Sequence, residues 1–291
     1  LTLTASDTNL ICTGATIKLK NNASLKYMLF ITGANCVVDG GTWDGNKTNG
    51  NNTGSTFDSF NVAMYADRCT VKNINSINTF GIGIKGFANF LSALNNRIRN
   101  TENYGIFFDG SSSVSHAGNR AIGNTIDMSE GQISGGQNIG QGILFTAGTG
   151  QAQTDWELSY NNIIGPQTSV QDQAINLNVR GRNGIVSNNT TRYGAMGFSE
   201  GGANTVIDGN RFLDLVGTVR YGIELSGGAS VISNNVVTNA LRGVIASGNI
   251  NFDGLTITGN NLEAGTTGLG VNLQIGAAGS GKNIVISGNY L

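Results

Sequence analysis

Proline occurs once in this chain, histidine once and cysteine three times, and charged residues make up only 12% of its 291 positions. With one proline, nearly every backbone N–H is free to enter a hydrogen-bonded ladder. With a net charge of −1 there is no basic surface to grip nucleic acid by bulk electrostatics. No run of 18 apolar residues exists, so no membrane span is expected. HExxH, phosphate-loop, EF-hand and nucleophile-elbow patterns are all missing, which excludes the chemistries those motifs carry. Cys12, Cys36 and Cys69 have no zinc-ligand spacing, and their odd count argues against a full disulfide framework. Ala34-Asn35-Cys36-Val37-Val38 aligns with Asp67-Arg68-Cys69-Thr70-Val71, so both thiols fall at an inward slot. There they pack as small hydrophobes, with a Cys36–Cys69 disulfide as the alternative. The chain begins at Leu1 without an initiator Met or a signal-peptide pattern and reads as processed or cut from a longer one.

What is present is repetition. An apolar residue, two small polar residues and Asn recur as Val186-Ser187-Asn188-Asn189, Ile207-Asp208-Gly209-Asn210 and Ile232-Ser233-Asn234-Asn235. The phrase returns as Ile257-Thr258-Gly259-Asn260 and Ile286-Ser287-Gly288-Asn289. Weaker copies put Asn96, Asn124 and Asn162 in the same series. Spacings of 21, 25, 25 and 29 residues between the five strong copies are those of a repeat architecture. A second phrase alternates with it, as in Gly81-Ile82-Gly83-Ile84-Lys85-Gly86 and Gly105-Ile106-Phe107-Phe108-Asp109-Gly110. Its period of two is that of a strand with one buried face, and no stretch has a helical period.

One repeat cannot bury its own apolar face, whereas stacked repeats can, each strand pairing with its copies about 4.8 Å above and below. The expectation is an all-β chain: a single-stranded right-handed parallel β-helix of about ten coils, forming a single domain over residues 1–291. The recurring Asn then sits at a turn, where an internal Asn ladder satisfies backbone groups that would otherwise be buried unpaired.

These Asn-phrase coils, together with Val37-Val38-Asp39-Gly40-Gly41-Thr42-Trp43-Asp44-Gly45-Asn46, resemble the pectate-lyase-like superfamily of β-helix proteins. That superfamily includes polysaccharide lyases, glycoside hydrolases, uronan epimerases and phage tailspikes. The resemblance covers nearly the whole chain. It implies a polysaccharide as partner and a secreted, extracellular or virion-surface location, with neither nucleic acid nor membrane bound. It is compatible with a monomer, or with a homotrimer if the chain is a tailspike segment.

Aligning the second phrase puts outward residues in two columns on one face. One runs Lys85, Asp109, Thr146, Asn178, Ser199, Ser226, Ser247, Gln274; the other runs Gly83, Phe107, Leu144, Asn176, Gly197, Glu224, Ile245, Asn272. Arg180 and Glu200 lie just past the strand ends. Such a face suits a polar, extended, repetitive ligand such as a glycan. Insertions at 45–61, 126–141, 147–155 and 164–172 flank it and bring Asp127, Glu130, Asp155, Asp172 and Trp156 near the groove. Trp156 either stacks on a sugar ring or fills a loop core. His116 reads as an exposed loop residue. No metal site is assigned and no cofactor is required; calcium at Asp39, Asp44 and Asn46 is the one possibility, against a plain Asp/Asn turn.

Three functions fit this face. Elimination on a uronate polymer needs a cation for the substrate carboxylate and a base for the neighbouring proton. Lys85 is the leading base, with Tyr104, His116 and Arg120 one coil away, and Arg180, Arg182, Arg192 or Arg220 are the cations. Asn176, Asn178 and Trp156 complete a substrate-binding set. Hydrolysis needs two carboxyl groups, with Asp109, Asp172, Glu200 and Glu224 as candidates and Glu200–Glu224 as an inverting pair. The polygalacturonase-type signatures are absent. The third function is a non-catalytic tailspike or adhesin segment. Leu1 and Leu291 fall inside repeat pattern with no polar cap, so flanking domains or a trimer would cover the strand edges.

Overall fold

A computed structural model describes the chain except for residues 22–26, 50–58, 111–113, 130–139, 147–151, 168–174, 201–202, 218, 226, 249–250 and 277–278. Among the described residues there are strands and turns and no helix, hence no helix long and apolar enough to cross a membrane. The chain winds as a parallel β-helix, and one coil shows the plan. A short first strand, Thr70–Lys72, turns at Asn73 into a second, Asn75–Thr79, which bends into a third, Ile82–Gly86. The next coil repeats this with Ser92–Leu94, Arg97–Thr101 and Tyr104–Phe108. Each strand pairs in parallel with its copies in adjacent coils.

The first strands build an 11-stranded sheet. Second and third strands hydrogen-bond into one 19-stranded sheet, because in the last coils they merge into single bent strands, Val236–Gly248 and Asn261–Ile275. A 3-stranded ribbon, His116–Ala117, Gln153–Thr154 and Gly181–Arg182, lies beyond the third strands of three coils.

The interior is a stack of apolar columns. Along the third strands Leu29, Val62, Ile84, Ile106, Ile143, Leu177, Phe198, Ile223 and Val244 pair in register, and all are fully buried. Each such side chain contributes about 1.5–3 kcal/mol of burial. The position before this column is mostly glycine, for a steric reason. A Cβ on Gly105 would stand 2.6 Å from the carbonyl oxygen of Gly142 and from the Ile126 side chain.

The Asn phrase forms a hydrogen-bonded column at the turn between first and second strands. Asn96, Asn124, Asn161, Asn189, Asn210, Asn235 and Asn260 each donate from Nδ2 to the Oδ1 of the next at 2.9–3.0 Å, and the column ends on Asn289. Each also donates Nδ2 to a strand carbonyl one coil back, as Asn124 does to Ala93 at 2.9 Å. The residue before the ladder Asn has a left-handed backbone, at Asn95, Gly123, Asn188, Gly209, Asn234, Gly259 and Gly288. Only Asn and Gly occupy that conformation cheaply, which is why the phrase ends Asn-Asn or Gly-Asn. One coil corrects the sequence reading. Tyr160 holds the left-handed slot (φ 59°), so the ladder residue is the buried Asn161 and not the exposed Asn162. A tyrosine in the turn disguised the phrase.

All three cysteines are free. Cys36 and Cys69 are buried at equivalent positions, their thiols directed at the carbonyls of Ala5 (3.2 Å) and Gly33 (3.3 Å), while Cys12 is only partly buried. Burial pushes the Cys69 thiol up to about 11, as expected of an inert packing residue.

Candidate functional site

The outward face of the third strands carries the candidate site, but in a register shifted from the sequence alignment. Lys85 stands opposite Phe107, and the column continues Leu144, Asn178, Ser199, Glu224, Ile245 and Asn272. Asp109 belongs two residues further along, in a column with Tyr65, Phe87, Thr146 and Arg180, as their equivalent backbone hydrogen bonds show. The sequence alignment matched glycines that frame the strands, and those glycines are not in register between coils.

The shift does not separate Lys85 from Asp109. Lys85 reaches diagonally to Asp109, Nζ to Oδ2 4.0 Å. Its ammonium lies 5.5 Å from the Phe107 ring centre and 5.7 Å from that of Phe60, contacts worth about 0.5–2 kcal/mol each. Tyr104, one coil on, packs its ring 4.9 Å from Phe107. Phe60, Tyr104, Phe107 and Leu144 form an apolar cluster separate from the main core. Lys85 is 8% exposed and Tyr104 5%, whereas the Asp109 side chain is 29% exposed, the most accessible ionisable group of the three.

Burial sets the protonation of this cluster. It pushes the Asp109 carboxyl above the usual carboxylate range, against the pull of Lys85, the Gly110 N–H and His116. It pushes the Tyr104 phenol up to about 12, with the Asp109 charge adding to the effect and Arg180 opposing it. His116 is not an exposed loop residue. It opens the His116–Ala117 strand, is 3% exposed and sets its ring edge-on to Phe87 at 5.2 Å. Burial pushes its imidazole below the usual value, while the charges of Asp67 and Asp109 oppose that. Among the described residues neither ring nitrogen has a hydrogen-bond partner.

Other candidates are placed differently from expectation. Asn178 is outward and donates to Gln141 Oε1 at 3.2 Å. Asn176 points inward, buried, donating to the carbonyl of Tyr193 (2.7 Å) and to Thr191 Oγ1 (3.2 Å), so it binds backbone and not substrate. Trp156 is 1% exposed in the core, where a Cβ on Gly184 would meet its ring at 2.0 Å, so no sugar can stack on it. Arg180 is exposed at the end of the Asp109 column. Arg182 is exposed on the neighbouring ribbon, opposite Thr154.

Glu224 is outward and accepts from Ser199 Oγ at 2.8 Å. Glu200 pairs in register with Val179 and Leu225, and its side chain lies outside what the structure describes. Arg120 is on the first-strand sheet, Arg192 pairs with Asp214 at 3.3 Å, and Arg220 donates to the carbonyls of Gly217 and Asn239. Glu130 and Asp172 lie outside the described residues.

Asp39 is held by Lys72 (3.2 Å) and Asn73 (2.7 Å), and Asp44 by Lys18 (3.5 Å) and Asn78 (3.0 Å). Asn46 turns its Nδ2 to Leu19 O and Asn21 Oδ1. Among the described residues no group of three His, Cys, Asp or Glu side chains could hold a metal ion.

Sequence reasoning missed the aromatic part of this face. Tyr27, Phe30, Phe60 and Tyr65 are on the strands Tyr27–Ile31 and Phe60–Met64 or just beyond, with rings 4.8–5.7 Å apart. Those strands lack the opening glycine, and the signal that finds them is the aromatic residue at each strand's start with a second three or five positions on.

No protein-family model matches the chain, and no curated protein matches its sequence. Solved structures do match it. A single-residue variant of the periplasmic alginate epimerase AlgG superposes with a TM-score of 0.57 at 13% identity, over 94% of this chain and 67% of that one. AlgG itself gives a TM-score of 0.50 at 12% identity, over 96% and 74%. An alginate lyase from a Paenibacillus species gives 0.49 at 12% identity, over 97% and 100%. The likeness is one of fold: this chain winds as a right-handed parallel β-helix, as those structures do.

Proposed function

We propose that this chain cleaves a uronic-acid-containing polysaccharide by β-elimination on the outward face around Lys85, Tyr104 and Asp109. The observation that carries the reading is the convergence of a cation, a carboxylate and a protonated phenol from two adjacent coils. Elimination needs those three parts. Lys85 neutralises the substrate carboxylate and so acidifies the C5 proton, with Arg180 three coils further along the stack. Asp109, the accessible member with a raised pKa, accepts that proton at a carboxylate oxygen. The C–H electron pair becomes the C4=C5 double bond, the C4–O4 bond breaks, and the departing O4 takes the proton of Tyr104 Oη. Burial keeps that phenol protonated at neutral pH.

Hydrolysis by paired carboxylates has less support. The described outward carboxylates, Asp109 and Glu224, sit four strand spacings apart along the stack, roughly 19 Å. An inverting pair needs about 6.5–9.5 Å. The alignment with AlgG, named as a periplasmic alginate epimerase, supports a uronate polymer as the substrate class and a site of action outside the cytoplasm.

The test is incubation with alginate, pectate and bacterial capsule polymers, following ultraviolet absorbance of an unsaturated uronate. Asp109→Asn should abolish that signal while glycan binding persists, and Lys85→Ala should weaken both. Reducing ends without new absorbance would transfer the assignment to hydrolysis. Solvent deuterium at C5 with the chain uncut would transfer it to epimerisation. Binding without any turnover would leave an adhesin.

A further inference from the structure

The outward face has two unlike halves, and Lys85 marks the boundary. Toward the C-terminus, past Phe107 and Leu144 and apart from Ile245, its positions are mostly polar: Thr146, Asn178, Arg180, Ser199 and Glu224. Toward the N-terminus a continuous run of rings covers it. Tyr27 lies 4.9 Å from Phe30 and 5.7 Å from Phe60, Phe30 4.8 Å from Tyr65, and Tyr65 5.7 Å from Phe87. Phe87 in turn touches His116. Tyr27, Phe30, Tyr65 and Phe87 each keep part of their surface open to solvent. Before Lys85, the outward positions of the strands Tyr27–Ile31, Phe60–Met64 and Ile82–Gly86 hold no charged residue. The carboxylate that follows Phe87 in its column, Asp109, is paired with Lys85, and Asp67 accepts from Asn89.

We infer that this aromatic half binds the neutral sugars of a heteropolysaccharide, so that the preferred glycan alternates uronate with uncharged residues. The inference rests on the elimination reading for the position of the uronate at Lys85. A homopolymer of uronates would lay a carboxylate on each successive residue over an uncharged floor. Such a carboxylate gives up water with no cation from the described strands Tyr27–Ile31 and Phe60–Met64 in return, and ring faces carry negative potential. A neutral pyranose presents C–H surface that packs on the same floor, so the face discriminates by rejecting charge as much as by attracting sugar. Because the ring run is continuous with Lys85 and His116, one glycan chain can span both halves.

Equilibrium binding of defined tetrasaccharides to the full chain tests this apart from turnover. An alternating uronate–neutral hexose oligosaccharide should bind about tenfold or more tighter than a homo-oligouronate. Tyr65→Ala should weaken the alternating ligand about fivefold, and Tyr65→Phe should restore it. Tyr27→Arg, at the exposed edge, should strengthen homo-oligouronate binding. Equal or tighter binding of the homo-oligouronate, no effect of Tyr65→Ala in a folded variant, or binding of neither ligand would each overturn the inference. Binding as expected with no unsaturated product would instead remove the elimination reading and leave this one standing.

Discussion

Replacing Asn161 with alanine, beside the same change at Asn162, separates the ladder from an ordinary surface amide one residue away. Asn161 Oδ1 accepts the backbone N–H of Asn124 at 3.0 Å and its Nδ2 at 2.9 Å, and Asn161 Nδ2 donates to the carbonyl of Ala121 at 2.8 Å. Asn161→Ala takes a partner from each of those three buried groups and from Asn189 Oδ1, while Asn124 Nδ2 keeps its bond to Ala93. The backbone N–H of Asn161 keeps its own bond to Asn189 Oδ1 at 2.9 Å. Each group left unpaired costs about 1–3 kcal/mol, and some relaxation is shared among neighbours, so the loss should be about 3–5 kcal/mol. Asn162 is exposed, and its replacement should move stability by less than about 0.5 kcal/mol. Urea unfolding followed by circular dichroism reads both. A solenoid can open coil by coil, so hydrogen exchange at the amides of Asn124 and Asn161 should accompany it. If Asn161→Ala is no more destabilising than Asn162→Ala, the ladder is not what holds the turn.

Three further outcomes follow from the buried groups and the register. His116 should make folding weaker in acid. Its folded-state pKa is lowered, so the unfolded chain binds the proton first. Its full contribution holds above about pH 6.5 and is lost as pH falls from there through the folded value. Asp109, raised, acts in the opposite sense, losing stability as pH rises from about 3.8 through its folded value. The difference between wild type and His116→Gln across pH 5–7.5 (about one unit either side of the free imidazole) isolates the histidine, and identical profiles would refute its role. Trp156→Ala should cost about 3–5 kcal/mol in urea unfolding, since it empties a core position beneath Gly184; a loss confined to glycan binding would return Trp156 to the groove. Glu224→Gln should leave turnover within about twofold, given its roughly 19 Å distance from Asp109; a collapse of turnover would reinstate the paired-carboxylate mechanism.

The parallel β-helix was legible in the chain because its determinants are local and repeated. Period-two apolar residues mark each strand, and Asn-Asn or Gly-Asn marks each turn, since one slot demands a left-handed backbone and the next a buried amide. Lys85 and Asp109 were legible as outward residues because strand parity alone gives that, whereas Tyr104, three residues before Phe107 and so of opposite parity, joins Phe107 on that face only in the folded structure. What the sequence did not determine was register between coils. Glycines that look equivalent, such as Gly81 and Gly105, differ in their place along the strand, and a slip of two residues keeps parity while changing every neighbour. Only the stacked structure set Lys85 against Phe107, turned Asn176 and Trp156 inward and buried His116 against Phe87. The reason is physical. Which face a residue takes is fixed by the two or three residues around it, whereas which residue it meets one coil away is decided by packing contacts 21–37 positions distant along the chain.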